Sequence, residues 1–348
     1  MSVIYHEEDG NLNVIEGKLF AVVGYGNMGR PVALNLRDSG MRVIVTEPSA
    51  EKREIAIREG FTVMDVGEAV ARAEIILLMF RDEEMPKVYL EEVSPRLRRG
   101  HTLIFSSAYN IAFGLIEPPS FVDVGLVSPR TVGAGVRHRY ISDEGFSSFV
   151  AVAQDASSHT WPTVLAIAKA IGALRWGAVE LRFEQEAELD LFMQQAILPI
   201  LHQAVTLGVQ LLMRMGYPPE AVFTEMYLSG ETSDYLRQSA QIGMMNALKL
   251  SSLTAQYGTL SRYERFEELD FRIERMMELV LEDIRNGKFA QEWTREYLAD
   301  YPRLETLFKK REAMEMWELE QQTIDLFRRE SPFGFDDEAD QKQADSEL

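Results

Sequence analysis

KLFAVVGYGNMGRPVALNLRDSG, running from Lys18 to Gly40, decides the fold of this 348-residue chain. The apolar run Leu19 to Val23 predicts a strand, and Met28 to Arg37 predicts the helix that follows. Between them Gly24, Gly26 and Gly29 form G-x-G-x-x-G. Gly24 permits a tight turn, Gly26 lets the backbone approach a pyrophosphate, and Gly29 lets helix and strand pack closely. The anion then rests on N–H groups at the positive end of the helix. Framed by strand and helix, with an acid closing the next strand, the motif points to dinucleotide binding. That next strand is Met41 to Thr46, and Glu47 stands at its end, where a ribose-binding acid belongs. The expected cofactor site is Gly24, Tyr25, Gly26, Asn27, Met28, Gly29, Glu47 and Ser49, joined by Met79, Phe80, Arg81 and Ser106.

Outward from this unit, apolar strands and helical stretches alternate as far as Leu181. Predicted strands are 19–23, 42–46, 75–79, 102–105, 122–126 and 149–153, with helices at 50–59, 66–71 and 161–171. Alternation of this kind implies a parallel, doubly wound Rossmann-type sheet. Ligands on such sheets bind beyond the carboxyl ends of the strands. The loops 24–29, 47–50, 80–83, 106–110 and 128–135 are therefore where chemistry belongs. From Phe183 to about Arg329 apolar residues recur at helical spacing, which predicts an all-α domain. The expected division is a dinucleotide-binding domain at 1–181, a helical substrate and dimerisation domain at 182–330, and an acidic disordered tail at 331–348. Met213, Met215, Met244, Met245, Met276 and Met277 are expected in helix–helix core.

Formal net charge is −19, which argues against nucleic acid and anionic membranes as partners, since polyanions would be repelled. With zero cysteines there are no disulfides, no thiolate catalysis and no Cys-based zinc sites. MSVIYHEEDGNLNVIEG lacks the basic-then-apolar layout of a signal peptide. No uninterrupted apolar run reaches the roughly 18 residues a spanning helix needs. A cytoplasmic protein is the expectation. His6, His101, His138, His159 and His202 show no ligand or triad spacing, so packing or surface roles are expected.

Several further stretches resemble one family, ketol-acid reductoisomerase, in its short, class I form. GYGNMGRPVALNLRDSG resembles that family's GYGSQGHAQALNLRDSG, and LIFSSAYNIAFGLIEPP its LAFAHGFNI…IxPP segment. ELDLFMQQAIL is similar to ETDLFGEQAVL, GYPPEAVF to GYxPExAY, LTAQYG to NTAEYG, and RNGKFAQEW to QxGxFAxxF. The resemblance implies a knotted helical domain intertwined with a second subunit, hence a homodimer or larger homo-oligomer. It also implies a reaction in which 2-acetolactate is rearranged on two Mg2+ ions and then reduced by NAD(P)H.

Carried across residue by residue, the resemblance places the first metal aspartate at Asp190. The family's next glutamate corresponds to Gln194, and its pair on the following helix to Thr224 and Leu228; Glu225 lies one residue from the first of these, about 100° round a helix. The family's loop histidine corresponds to Ser107, the lysine of PKGPGH to Arg130, the substrate serine to Ser252, and the proline of LLPDE to Arg81. One remaining carboxylate against two divalent ions argues against Mg2+ and against alkyl migration. The dinucleotide fingerprint is intact. The expectation is a metal-independent NAD(P)H-dependent reductase of a small 2-keto acid or imine. Its catalytic residues are Asp190, Arg130, Ser252 and Ser107; Gln194, Glu186 and Thr224 bind substrate. Tyr109, beside the cleft loop, is a further proton-donor candidate, with packing the expected role. Two alternatives remain, a non-catalytic dinucleotide-binding relative and a true reductoisomerase whose metal site is rearranged around Glu225 or Glu231. Glu47 would repel a 2′-phosphate, which favours NAD(H); Lys52 and Arg53 on the same loop keep NADP(H) as the alternative.

Overall fold

The computed structural model describes residues 3–330; the acidic tail expected at 331–348 lies outside the described residues. Two compact units divide at Asp190, Met1–Asp190 and Leu191–Leu348. The first is built on nine strands: β1 (Ile4–Tyr5), β2 (Leu19–Val23), β3 (Arg42–Thr46), β4 (Thr62–Val63), β5 (Ile75–Leu78), β6 (Thr102–Phe105), β7 (Asp123–Pro129), β8 (Ser148–Gln154) and β9 (Ala178–Glu180). They form one sheet in the order β1-β9-β8-β7-β6-β5-β2-β3-β4. Its helices are α1 (Gly29–Asp38), α2 (Ala50–Arg58), α3 (Val66–Arg72), α4 (Met85–Val88), α5 (Tyr109–Ala112), α6 (Gly133–Ile141), α7 (Thr160–Ile171) and α8 (Phe183–Phe192).

The central strands are apolar at consecutive positions because both faces are covered; Ile75, Ile76, Leu77 and Leu78 have no exposed surface. Strand order reverses between β2 and β5, which marks the topological switch point where such sheets hold ligands. Register brings the functional loops together there. Val23 pairs with Thr46 on one side and Leu78 on the other, so Gly24, Glu47 and Met79 follow three strands that end in step. Backbone bonds fix the exit, from Gly24 N to Thr46 O at 3.0 Å and from Met79 N to Val23 O at 2.9 Å.

The sheet is not wholly parallel, as the alternating pattern had implied. β8 runs antiparallel to β7, and β1 antiparallel to β9. A helix between two strands ordinarily signals a parallel crossover. Here α6 packs on α1, where Asn35 donates to Val136 O at 3.2 Å and to Ile171 O at 3.1 Å, and the chain returns along β7. β7 also extends to Pro129, beyond the expected end at Leu126, and this carries Ser128 and Arg130 to the site.

The second unit is helical: α9 (Leu198–Arg214), α10 (Pro219–Phe223), α11 (Glu231–Ile242), α12 (Met244–Leu248), α13 (Leu253–Phe266), α14 (Asp270–Arg285), α15 (Lys288–Leu298), α16 (Pro302–Glu312) and α17 (Met316–Glu330). Val209, Val222, Phe223 and Met316 make a small core, with Met213 packed against it. The expectation of a methionine core fails elsewhere, since Met215, Met244, Met245 and Met276 are all more than half exposed. Helical spacing reports an apolar face without saying what covers it. The helix Phe183–Arg214, though interrupted by polar residues, is long and apolar enough by length and composition to cross a membrane, and only 17% of its most apolar window is buried.

His101, fully buried before β6, accepts a bond from Arg98 N at 3.4 Å. Burial, reinforced by the nearby Arg98 cation, pushes its pKa down to about 4. The folded chain therefore keeps the imidazole neutral while the unfolded chain takes up a proton below about pH 6.5. The stability owed to this neutral ring is complete above that pH and is lost as pH falls towards 4. In thermal melts from pH 7.5 to 5, His101→Gln should lose less Tm than the unaltered chain; equal losses would refute this assignment.

Candidate active site

The Gly-rich turn fits a dinucleotide. Gly24 has φ +97°, and a Cβ there would lie 2.8 Å from Met79 O. A Cβ on Gly29 would stand 1.9 Å from Gly24 O, whereas one on Gly26 would meet nothing within 4 Å. The turn is thus packed where helix meets strand and open where a pyrophosphate would approach. No side chain caps the N-terminus of α1; Arg30 N bonds Gly26 O at 3.0 Å, and an anion would rest on the N–H groups ahead of it. Asn27 is pinned by α6, since a Cβ on Gly133 would lie 1.9 Å from Asn27 O. Tyr25 anchors the turn from below; its hydroxyl donates to Glu59 at 2.6 Å, and Glu59 in turn pairs with Arg30.

Glu47 is buried, with its carboxylate accepting from Tyr25 N at 2.8 Å and Ser49 N at 3.0 Å. It ties the turn to the end of β3, and each oxygen keeps a second lone pair for a ribose hydroxyl. Ser49 caps α2, and Arg53 donates to Glu47 O at 3.2 Å. Met79 and Phe80 lie against Gly24, Ser106 is half-buried after β6, and Arg81 is exposed and paired with Glu83 and Glu84.

Beyond β5, β6 and β7 lies a charged cluster wholly within the first unit. Arg130 Nη1 donates to Asp190 at 3.0 Å and Nη2 to Glu186 at 3.1 Å; it also donates to Ser128 Oγ, and Nε bonds Pro129 O at 3.3 Å. The guanidinium lies 4.9 Å over the Phe149 ring. Glu186 is almost wholly buried, and both its oxygens are engaged. Oε1 accepts from Ser128 Oγ at 2.7 Å as well as from Arg130, and Oε2 accepts from Ala108 N at 2.9 Å. Burial pushes its pKa up, against the lowering effects of Ser128, Arg130 and Ala108. Glu186, expected to bind substrate, thus acts as an internal anchor for Arg130 and the 106–108 loop.

The same loop carries Ser107, whose Oγ donates to Asp82 Oδ2 at 3.2 Å and accepts from Tyr109 N at 3.3 Å. Asn110 Nδ2 reaches Asp82 Oδ1 at 3.2 Å and Asp82 O at 3.1 Å. Burial, opposed by the Ser107 bond and helped by Glu83, Glu186 and Asp190, pushes the Asp82 carboxyl up to about 7. Tyr109 is packed on Phe113 at 5.0 Å between ring centroids, and its buried hydroxyl has no hydrogen-bond partner among the described residues.

Three expected residues belong to the second unit. Gln194 is exposed, Thr224 Oγ1 donates to Glu220 O at 2.6 Å, and Ser252 caps α13 by accepting from Ala255 N at 3.1 Å. Asp82, Asn110, Ser128 and Gly133 were not among the expected site residues. Asp82 carried a signal, in the MFRDE stretch on a loop already assigned to chemistry. Among the described residues, no three His, Cys, Asp or Glu side chains are grouped as a metal ion needs.

Comparison with known proteins agrees with both halves. Residues 14–177 match the family model described as acetohydroxy acid isomeroreductase, NADPH-binding domain, and residues 183–329 match ketol-acid reductoisomerase, C-terminal domain. The ketol-acid reductoisomerase (NADP(+)) of Pyrobaculum calidifontis is 39% identical over 313 residues, 89% of this chain and 94% of that protein. That of Pyrobaculum aerophilum is 38% identical over 313 residues, again 89% and 94%. An NADH-preferring ketol-acid reductoisomerase from an uncultured archaeon superposes with TM-score 0.87 at 30% identity, covering 95% of this chain and 100% of that one.

Proposed function

This chain belongs to the ketol-acid reductoisomerase family of nicotinamide-dependent oxidoreductases, and from that premise we propose a metal-independent reduction of a small 2-keto acid or imine, without alkyl migration. The observation that carries the proposal is the position of Arg130, bonded at once to Glu186 and Asp190. Its guanidinium supplies a permanent positive charge to the carboxylates that would otherwise face divalent ions. The other family ligand positions hold Gln194, Thr224 and Leu228, so the donor set does not fit two Mg2+ ions.

The bound dinucleotide supplies a hydride, and the chain's own residues do the rest. The Gly-rich turn holds the pyrophosphate, and Glu47 receives the ribose. Arg130 is fixed by its two acids, and Ser107, half-buried on the loop after β6, is the donor to the substrate. The exposed apolar residues of the helical unit, among them Leu201, Leu207, Leu211, Met244 and Met276, suit a second copy of this chain, giving a homo-oligomer in the cytoplasm. This gives the exposed apolar face of α9, with Leu201, Leu207 and Leu211, to a subunit interface instead of a membrane. With a net charge of −19, neither nucleic acid nor an anionic membrane is a partner.

NADH is the proposed cofactor, with support from Glu47 and from the NADH preference of the archaeal neighbour. Fluorescence titration should show NADH bound about tenfold more tightly than NADPH, and Glu47→Gln should erase most of that ratio. A native preference for NADPH would overturn the assignment.

The reaction is tested by oxidation of the reduced cofactor with simple 2-keto acids, cyclic imines and 2-acetolactate, with and without Mg2+. Turnover of keto acids or imines in the presence of chelator is expected. A second reading, a true reductoisomerase with a rearranged metal site, is favoured by the names of the most similar relatives. Mg2+-dependent turnover of 2-acetolactate would establish it and defeat the first.

A further inference from the structure

Ser107 sits on the loop after β6 with its oxygen between two neighbours, Asp82 Oδ2 at 3.2 Å and Tyr109 N at 3.3 Å. This arrangement has two hydrogen-bonding states. With Asp82 ionised, the Ser107 hydroxyl hydrogen points at the carboxylate and is unavailable to anything else. With Asp82 protonated on Oδ2, that carboxyl becomes the donor, and Ser107 Oγ accepts from it and from Tyr109 N. The serine hydrogen is then free to turn outward. Ser107 and Asp82 are both half-buried, and Asn110 Nδ2 fixes the Asp82 oxygen that does not face Ser107, Oδ1, at 3.2 Å. Asn110 is fully buried, and its Nδ2 bonds Asp82 O at 3.1 Å as well as Oδ1, so one amide holds both the backbone and the side chain of Asp82.

Resting on the reductase reading above, we propose that Asp82 and Ser107 form a proton relay that serves hydride transfer. The proton on Asp82 Oδ2 passes to Ser107 Oγ as the serine hydrogen passes to the substrate oxygen or nitrogen. The hydride from the reduced nicotinamide joins the substrate carbon at the same time. The C=O or C=N double bond becomes a single bond, the nicotinamide is oxidised by two electrons, and Asp82 is left ionised until solvent reprotonates it. An iminium substrate arrives already protonated at nitrogen, so the relay is required for keto acids and dispensable for imines that bind as the cation.

The charges around Asp82 favour storing a proton. Glu83 lies on its own loop, Glu186 and Asp190 face it from α8, and the Tyr109 hydroxyl is buried nearby on α5. Arg130 is paired with Glu186 and Asp190, and Arg81, next to Asp82 on its loop, with Glu83 and Glu84. Burial and these acids hold the carboxyl at about 7, which suits a donor working near neutrality.

The experiment compares Asp82→Asn, Ser107→Ala and Ser107→Thr with the unaltered full-length chain. Infrared spectra of the nucleotide-free protein should show a protonated-carboxyl band that is lost on raising the pH through about 7 and is missing in D82N. Keto-acid turnover should fall about 100-fold or more in D82N and S107A, with cofactor affinity unchanged, and S107T should retain most of it. The alkaline limb of the kcat profile should vanish in D82N. The relay is overturned if D82N keeps the band, keeps turnover within about threefold, or keeps the limb. If the unaltered chain turns over no keto acid or imine, the reductase reading fails by itself, and the infrared titration still decides whether Asp82 carries the proton.

Discussion

Gly29→Ala is expected to cost about 3 kcal/mol or more of stability, while Gly26→Ala, three residues earlier, should leave the melt nearly unchanged and abolish tight cofactor binding. The contrast follows from what each added methyl would meet. At Gly29 it would stand 1.9 Å from the carbonyl oxygen of Gly24, a backbone atom, with Met79 Cβ 3.3 Å away. That carbonyl belongs to a turn whose N–H is bonded to Thr46 O, so relief requires moving β2 and α1 apart. At Gly26 the methyl meets nothing within 4 Å. A methyl there obstructs the pyrophosphate and should weaken NADH binding at least 100-fold, about 3 kcal/mol. Thermal unfolding without cofactor, followed by fluorescence titration, separates the two effects. A G26A chain that melts as early as G29A, or binds NADH like the parent, would refute this division of roles.

That division was legible in the sequence because glycine spacing encodes a steric requirement directly. The strands flanking the turn were legible for a related reason, since Leu19–Val23 and Ile75–Leu78 are buried on both faces and read as unbroken apolar runs. Strand direction was not. The antiparallel return of β8 depends on α6 packing against α1, a contact between residues about 100 positions apart that leaves no local periodicity. Short strands β1, β4 and β9 pair at the sheet margins and are too brief to show an alternation. In the site, single residue types were legible and their pairings were not. Glu186 and Asp190 sit one helical turn apart in the sequence, yet nothing local says that Arg130, 56 residues before Glu186, closes on both. Asp82 stood on a loop assigned to chemistry, but its proton-holding character comes from burial and from acids that include two on another element, which only the fold assembles.

Removing the Arg130 guanidinium should therefore disturb both folding and chemistry. Arg130→Met keeps much of the apolar stem over Phe149 and deletes the charge. Glu186, almost wholly buried, would keep its bonds from Ser128 and Ala108 N but lose its counter-ion, a change that costs about 3–5 kcal/mol at sites of this kind. The sign of the pH dependence follows from Glu186, whose pKa burial already raises in the folded state. Without Arg130 it rises further, so the folded chain binds more protons than the unfolded one above the unfolded carboxylate pKa. Stability then falls as pH rises. R130M should accordingly be far weaker than the parent at pH 8 and recover much of the deficit at pH 5. Glu186→Gln placed in the same chain removes the uncompensated charge and should restore part of the loss at pH 8, an interaction that a double-mutant cycle reads directly. Arg130→Lys keeps a charge but cannot fork between Glu186 and Asp190, so an intermediate loss is expected. Denaturant unfolding of the parent, R130M, E186Q, the R130M/E186Q double variant and R130K at both pH values provides the measurement. An R130M chain within about 0.5 kcal/mol of the parent at pH 8, or equally weakened at pH 5, would show that Arg130 is not the counter-ion on which this cluster depends.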